Sequence, residues 1–168
     1  YFPPGNNTFD TMQELKALRR IPLNKEYAKK YDNVLSAFKE TATRNGLKEK
    51  ISDIVIKLVN DSYPIIMELK NFYNRPRPKA VAKTMNLEMD DYEMASMKTP
   101  SYPSGHSAQG ILIAKVLAHL YPELKKEFMQ TGNNISDSRN IAHAHYKTDS
   151  DFGKKLGEAM FEHLKNKL

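Results

Sequence analysis

Ser104-Gly105-His106-Ser107-Ala108-Gln109-Gly110-Ile111-Leu112-Ile113-Ala114-Lys115-Val116-Leu117-Ala118-His119-Leu120 reads as one helix. Ser104 is a good N-cap residue, because its hydroxyl can accept from a free N–H of the first turn. The apolar run from Gly110 to Tyr121 contains Lys115 and His119. It is too short to span a bilayer, which takes about 20 consecutive apolar residues.

Helical patterning extends outward from this segment in both directions. Thr8 to Arg20 reads as a helix with Leu15 and Leu18 on one face, stopped before Pro22. A second runs from the N-cap residue Asn24 to Asn45, with Gly46 as its stop and Tyr27, Tyr31, Val34, Leu35 and Phe38 as its stripe. A third runs from Leu47 to about Tyr73 on Ile51, Ile54, Val55, Leu58 and Val59. Pro64 should kink or divide it, and Pro76 and Pro78 end it before Arg77. Pro122 opens a helix to about Gln130, and Gly132-Asn133-Asn134 reads as a turn. Ile135 to Ala144 is helical, and a last helix runs from about Thr148 to Lys167. Residues 79–103 show no clear period. Alternating strands, repeats and low-complexity segments are absent from the pattern. The expected fold is all-α, a compact helical bundle, with residues 1–168 as a single domain.

Forty per cent of the 168 residues are hydrophobic, and the mean hydropathy is −0.64. That describes a soluble globular chain long enough to bury a core. The formal net charge is +6. Cations and anions are interspersed, as in Lys48-Glu49-Lys50 and Glu123-Leu124-Lys125-Lys126-Glu127. No basic stretch carries aromatics at a stacking spacing, so nucleic acid is not an expected partner. The positive balance favours anionic small molecules instead. There is no cysteine, which excludes a disulfide framework and thiol chemistry. The chain starts at Tyr1 without a visible signal peptide, as a processed or trimmed terminus would.

Three stretches carry the chemistry. Lys70 is followed, after six residues, by Arg77-Pro78; Pro103-Ser104-Gly105-His106 precedes the apolar helix; Ser138-Arg139 is followed by His145 after five residues and Asp149 after three more. At ~5% per residue type, the four fixed positions of the last stretch match by chance about 10⁻⁵ times per start. Lys70, Arg77 and Arg139 supply the positive charge that phosphoryl transfer demands around equatorial oxygens. Ser104, Gly105 and His106 stand at a helix N-terminus, where free N–H groups and the dipole favour an anion. Asp149 can accept from one nitrogen of His145 and leave a lone pair on the other. That works along a helix face if the segment is helical, and across a tight helix junction if it is not. Read alone, Arg75-Pro76-Arg77-Pro78 is a rigid loop with two surface arginines. Met85, Met89, Met94 and Met97 suggest a surface loop whose methionines pack beneath a short helix; a lid over the site is the sharper alternative.

The three stretches, in this order, resemble the type 2 phosphatidic acid phosphatase superfamily. Within it the chain looks most like the soluble bacterial class A non-specific acid phosphatases. The resemblance covers roughly residues 65–155 and extends to Ser101-Tyr102 and to the Pro-led helix from Pro122. It implies phosphate-binding by Lys70, Arg77, Ser104, Gly105 and Arg139. It implies His145 as a nucleophile that becomes phosphohistidine, His106 as general acid and then base, and Asp149 as the orienting acid. His143 departs from the pattern, since the related phosphatases usually carry a small residue there, often glycine. It is expected to pack or to reach solvent at the pocket rim, and His119 and His163 to be ordinary helix residues.

The expected activity is thus hydrolysis of small-molecule phosphate monoesters without a cofactor. A metal is disfavoured because Lys and Arg are poor company for a cation. Homo-oligomers occur in the family. The resemblance suggests a periplasmic or secreted protein, with a cytoplasmic one left open. Three rivals remain: a vanadate-dependent haloperoxidase-like enzyme, a lipid phosphate phosphatase at a membrane surface, and a basic binding module without turnover.

Overall fold

The computed structural model describes residues 1–168 as eight α-helices and three short 3₁₀ turns, with no strand. Helix α1 covers Phe9–Arg20, α2 Lys25–Asp32, α3 Val34–Arg44, α4 Ser52–Tyr73, α5 Pro78–Thr84, α6 Gly105–Leu120, α7 Lys125–Ile141 and α8 Lys147–Leu164. The all-α expectation holds.

Helix α6 is enclosed by the others. Ser107 to Ala114 and Val116 to Ala118 are all buried. Leu112, Ile113 and Leu117 share one cluster with Phe38 of α3, Val55 and Leu58 of α4, and Phe128 and Ile135 of α7. Full burial of such side chains stabilises by roughly 1.5–3 kcal/mol each. An all-round apolar helix is thus a core helix here, and no helix is long and apolar enough to cross a membrane.

Glycines set how closely α6 is approached. Gly132-Asn133-Asn134 is not a turn, contrary to its composition; it lies inside α7. A Cβ built on Gly132 would fall 2.6 Å from the Gly110 carbonyl oxygen and 2.9 Å from Ala114 Cβ. The two helices meet almost backbone to backbone, which only glycine permits. On the other side of α6, Gly153 and Gly157 of α8 press on the carbonyl oxygens of Ser104 and Ala108, each 2.5 Å from a built Cβ.

The long second helix of the sequence reading is broken in two. Asn33 is extended (φ −92°, ψ 105°), ends α2 and caps α3, its side chain accepting from the Ser36 N–H at 2.9 Å. An Asn side chain offers the backbone a competing partner, and here the cap outweighs one more helical turn. Pro64 does not divide the helix: α4 runs through it as one 22-residue element. Pro64 and Asn60 are exposed, so the carbonyl deprived of its N–H faces solvent. Helix α4 ends on left-handed Asn74 (φ 48°), and Pro78 then opens α5.

Candidate active site

His145 and Asp149 do not share a helix face. His145 precedes Tyr146, the N-cap of α8, and Asp149 is the third residue of that helix. Asp149 Oδ2 accepts from the Tyr146 N–H at 2.9 Å and from the Ser101 hydroxyl, and lies 3.2 Å from His145 Nδ1. The four-residue spacing therefore works through a helix N-terminus, where a carboxylate is at home. Oδ1 of Asp149 accepts from Arg75 Nη1 at 2.8 Å.

Arg77 closes the other side of the imidazole. Its Nη1 lies 2.8 Å from His145 Nε2 and donates to the Ala144 carbonyl at 3.0 Å. Its Nε donates to the Thr99 carbonyl, and its Nη2 to the Ser96 carbonyl and Thr99 hydroxyl. A guanidinium only donates. His145 Nε2 must therefore hold the lone pair, and Nδ1 the hydrogen that faces Asp149. Burial, together with Arg77, Lys70 and Arg139, keeps the ring well below the ordinary histidine range, hence neutral.

Lys70 and Arg139 complete the positive wall. Lys70 is almost fully buried, donates to the Pro100 carbonyl at 2.6 Å, and is lowered to about 7 by burial and then by Arg77. Arg139 is wholly buried. Its Nη1 donates to Asp32 Oδ1 at 3.2 Å and its Nη2 to the Ser96 hydroxyl at 3.1 Å. Its Nε is buried with no acceptor. An orphaned buried donor costs about 1–3 kcal/mol, and a bound anion is the natural acceptor for it.

The N-terminus of α6 faces the same place. The Ser104 N–H is taken by the Asp149 carbonyl at 3.0 Å, and the Ser104 hydroxyl accepts from the Ser107 N–H at 3.2 Å. Of the expected donors this leaves the N–H groups of Gly105 and His106 without a partner. A Cβ on Gly105 would touch only Ile66 Cγ2 at 3.4 Å and Lys70 Cε at 3.7 Å. The protein itself thus leaves room for a side chain there. His106 Nε2 lies 2.7 Å from the carbonyl oxygen of Asp32.

Lys70, Arg77, Ser104, Gly105, His106, Arg139, His145 and Asp149 thus converge. Four further contributors were not apparent in the sequence. Arg75 is buried rather than on the surface: it pairs with Asp149 and, at 3.0 Å, with Glu14, and its guanidinium lies 3.8 Å above the Tyr146 ring. Glu14 also accepts from the backbone and hydroxyl of Thr148. Asp32 and Ser96 meet Arg139. The only signal for Arg75 was its place beside Arg77, and for Asp32 the Asp-Asn pair that breaks the helix.

In residues 79–103 the methionines do pack: Met89 and Met85 against the α1–α5 cluster, Met94 and Met97 against Ala28, Ala142 and Ala144. The same segment presents the carbonyls of Ser96, Thr99 and Pro100 to the site cations. His143 stands outside the site. It is buried, with Nδ1 2.7 Å from the Asp90 carbonyl and Nε2 2.6 Å from the Ile21 carbonyl. Its φ of 57° is left-handed, a conformation that suits glycine. His119 and His163 are exposed helix residues.

A family model described as PAP2 superfamily matches residues 54–164, a span that contains all three motifs. The chain belongs to the PAP2 superfamily. It is similar to the non-specific acid phosphatase of Salmonella typhimurium, 35% identical over 107 residues, which cover 64% of this chain and 42% of that protein. It is 28% identical over 154 residues to the acid phosphatase of Zymomonas mobilis, covering 88% of this chain and 57% of that one. The chain therefore spans about half the length of these relatives. A solved structure, the first transmembrane PAP2 type phosphatidylglycerolphosphate phosphatase from Bacillus subtilis, superposes with a TM-score of 0.62. That match has 20% identity and covers 94% of this chain and 83% of that one; it shows the shared PAP2 fold.

Proposed function

We propose that this protein is a metal-independent acid phosphatase that hydrolyses phosphate monoesters through a phosphohistidine on His145. The observation that carries the reading is the lone pair on His145 Nε2, held beside Arg77 and backed by Asp149. A neutral imidazole in that state is a nucleophile. Lys70, Arg77, Arg139 and the N–H groups of Gly105 and His106 would hold the three equatorial oxygens. Nε2 attacks phosphorus, the ester oxygen departs with a proton from His106, and Asp149 stabilises the imidazolium character that grows on His145. In the second step His106 takes a proton from water, whose oxygen attacks the phosphohistidine and releases inorganic phosphate. Similarity to non-specific acid phosphatases supports monoesters as the substrate class, and the cationic lining supports catalysis without a metal.

The test is release of inorganic phosphate from p-nitrophenyl phosphate, glycerol phosphate, nucleotides and micellar phosphatidic acid, with and without EDTA. Turnover of soluble monoesters that survives EDTA and vanishes in His145→Asn is expected. Loss on chelation, or acid-labile phosphoenzyme in His145→Asn, would refute the reading; hydrolysis confined to the micellar lipid would move it to a lipid phosphatase.

A further inference from the structure

Asp32 belongs to none of the three motifs, yet it bridges two of them. It is the last residue of α2, at the break made by Asn33. Its carboxylate Oδ1 lies 3.2 Å from Arg139 Nη1, 3.1 Å from the Ser96 hydroxyl and 3.4 Å from His106 Nε2. Its own carbonyl oxygen is 2.7 Å from the same His106 nitrogen. The carbonyl distance is that of a hydrogen bond; the carboxylate distance is that of a charge contact. A carbonyl only accepts, so Nε2 carries a hydrogen in both charge states of the ring. His106 Nδ1, which has no protein partner, is then the nitrogen that gains and loses a proton.

We propose that Asp32 is the positioning residue of His106, its carbonyl setting the tautomer and its carboxylate holding the imidazolium, as Asp149 sets and supports His145. The proposal rests on the phosphatase reading above, because an acid that protonates a leaving oxygen must first hold a proton. Burial and the neighbouring guanidinium of Arg139 oppose that. Arg139 of α7 faces it, Lys70 of α4 and Arg77 stand across the site, and His145 lies among them. Burial and Arg139 draw its proton affinity down, and Asp32 alone pulls it up. Asp32 is also the more exposed of these groups, with 36% of its side chain open to solvent against 16% for His106 and 1% for Arg139. Its charge can therefore be removed with little loss of packing.

Asp32→Asn tests this, since it deletes the charge and keeps the carbonyl. Two measurements are made on the full chain. The first is a histidine ¹³C NMR titration, with the His106 signal assigned from its disappearance in His106→Ala. The expected result is a midpoint lower by about one pH unit, a tenfold change in protonation. The second compares glycerol phosphate, whose leaving oxygen needs a proton, with p-nitrophenyl phosphate, whose leaving group does not. The variant should lose about tenfold or more on the alkyl ester, and the alkaline limb of its kcat/KM profile should move to lower pH. The loss on p-nitrophenyl phosphate should be clearly smaller than the loss on glycerol phosphate, because weakening the contact to Arg139 affects both esters alike.

An unchanged midpoint would overturn the proposal. So would equal losses on both esters with an unshifted profile, because that is how a mere brace for Arg139 behaves. Phosphate release by neither ester in the wild type would sink the phosphatase reading instead, and the titration would still decide whether Asp32 sets the protonation of His106.

Discussion

Arg77 Nη1 points at His145 Nε2 from 2.8 Å, and that contact assigns the hydrogens of the site. A guanidinium has no lone pair, so the histidine must offer one, and its hydrogen is driven to the nitrogen beside Asp149. The cation that would neutralise a phosphate also sets the tautomer of the His145 imidazole. Arg77 is itself fixed by the carbonyls of Ser96, Thr99 and Ala144.

Arg77→Lys should therefore fail almost as badly as Arg77→Ala. Removal of one preorganised charged donor costs about 10²–10³ in rate, and an ammonium cannot reach all those acceptors in one plane. Steady-state turnover on p-nitrophenyl phosphate measures it; a lysine variant within about threefold of wild type would contradict this account.

Asp149→Asn strikes two partners at once. It leaves Arg75 buried beside an uncharged amide, and breaking a buried pair costs about 3–5 kcal/mol. Glu14 remains as a second anion for Arg75, so the loss should sit at the lower end. The new amide can also donate to Nδ1, driving the hydrogen onto Nε2 and removing the lone pair there, which the proposed mechanism needs. By analogy with the acid of a catalytic triad, the rate should fall about 10⁴-fold. Urea unfolding and turnover, measured together, check both halves.

Sulfate binding should weaken as pH rises. Burial and Arg77 bring Lys70 down to about 7, and a bound dianion raises that value. Binding therefore takes up a proton above pH 7, and affinity is highest below it and declines above it. Sulfate keeps its charge throughout, so the dependence belongs to the protein. Calorimetric titrations on either side of neutrality measure it, and Lys70→Ala should flatten the decline. Affinity constant from pH 7 to pH 9 in the wild type would contradict the assignment.

Two glycine substitutions should separate stability from activity. Gly132→Ala gains about 1 kcal/mol of helix propensity but drives a Cβ to 2.6 Å from the Gly110 carbonyl. Backbone cannot swing aside, and overpacking of about 1–3 kcal/mol wins, so the melting temperature should fall. Gly105→Ala meets nothing closer than 3.4 Å and should leave stability within about 0.5 kcal/mol. Its methyl group stands where the anion would back onto the helix, so turnover should drop. Normal activity in Gly105→Ala would place the phosphate elsewhere.

The periods of the longer helices, the three motifs and their order were legible in the chain, because each depends on near neighbours; the short helix α5 was not, since residues 79–103 show no clear period. Apolar spacing marked α6 as a helix, and Ser104 capped it as its residue type implies. The motif residues could be named because their types and spacings are chemically demanding. Local composition misled at Gly132-Asn133-Asn134, which reads as a turn on its own and becomes helix once α6 needs a close partner. It misled again at Asn33, where a side-chain cap competes with the helix at nearly equal free energy. Tertiary packing decided what sequence spacing could not. It brought Glu14 to Arg75 across 61 residues and Asp32 to Arg139 across 107. The reason is physical: a buried charge needs a partner, and any carboxylate the fold delivers to it will serve, so neither motif nor period marks which one it is.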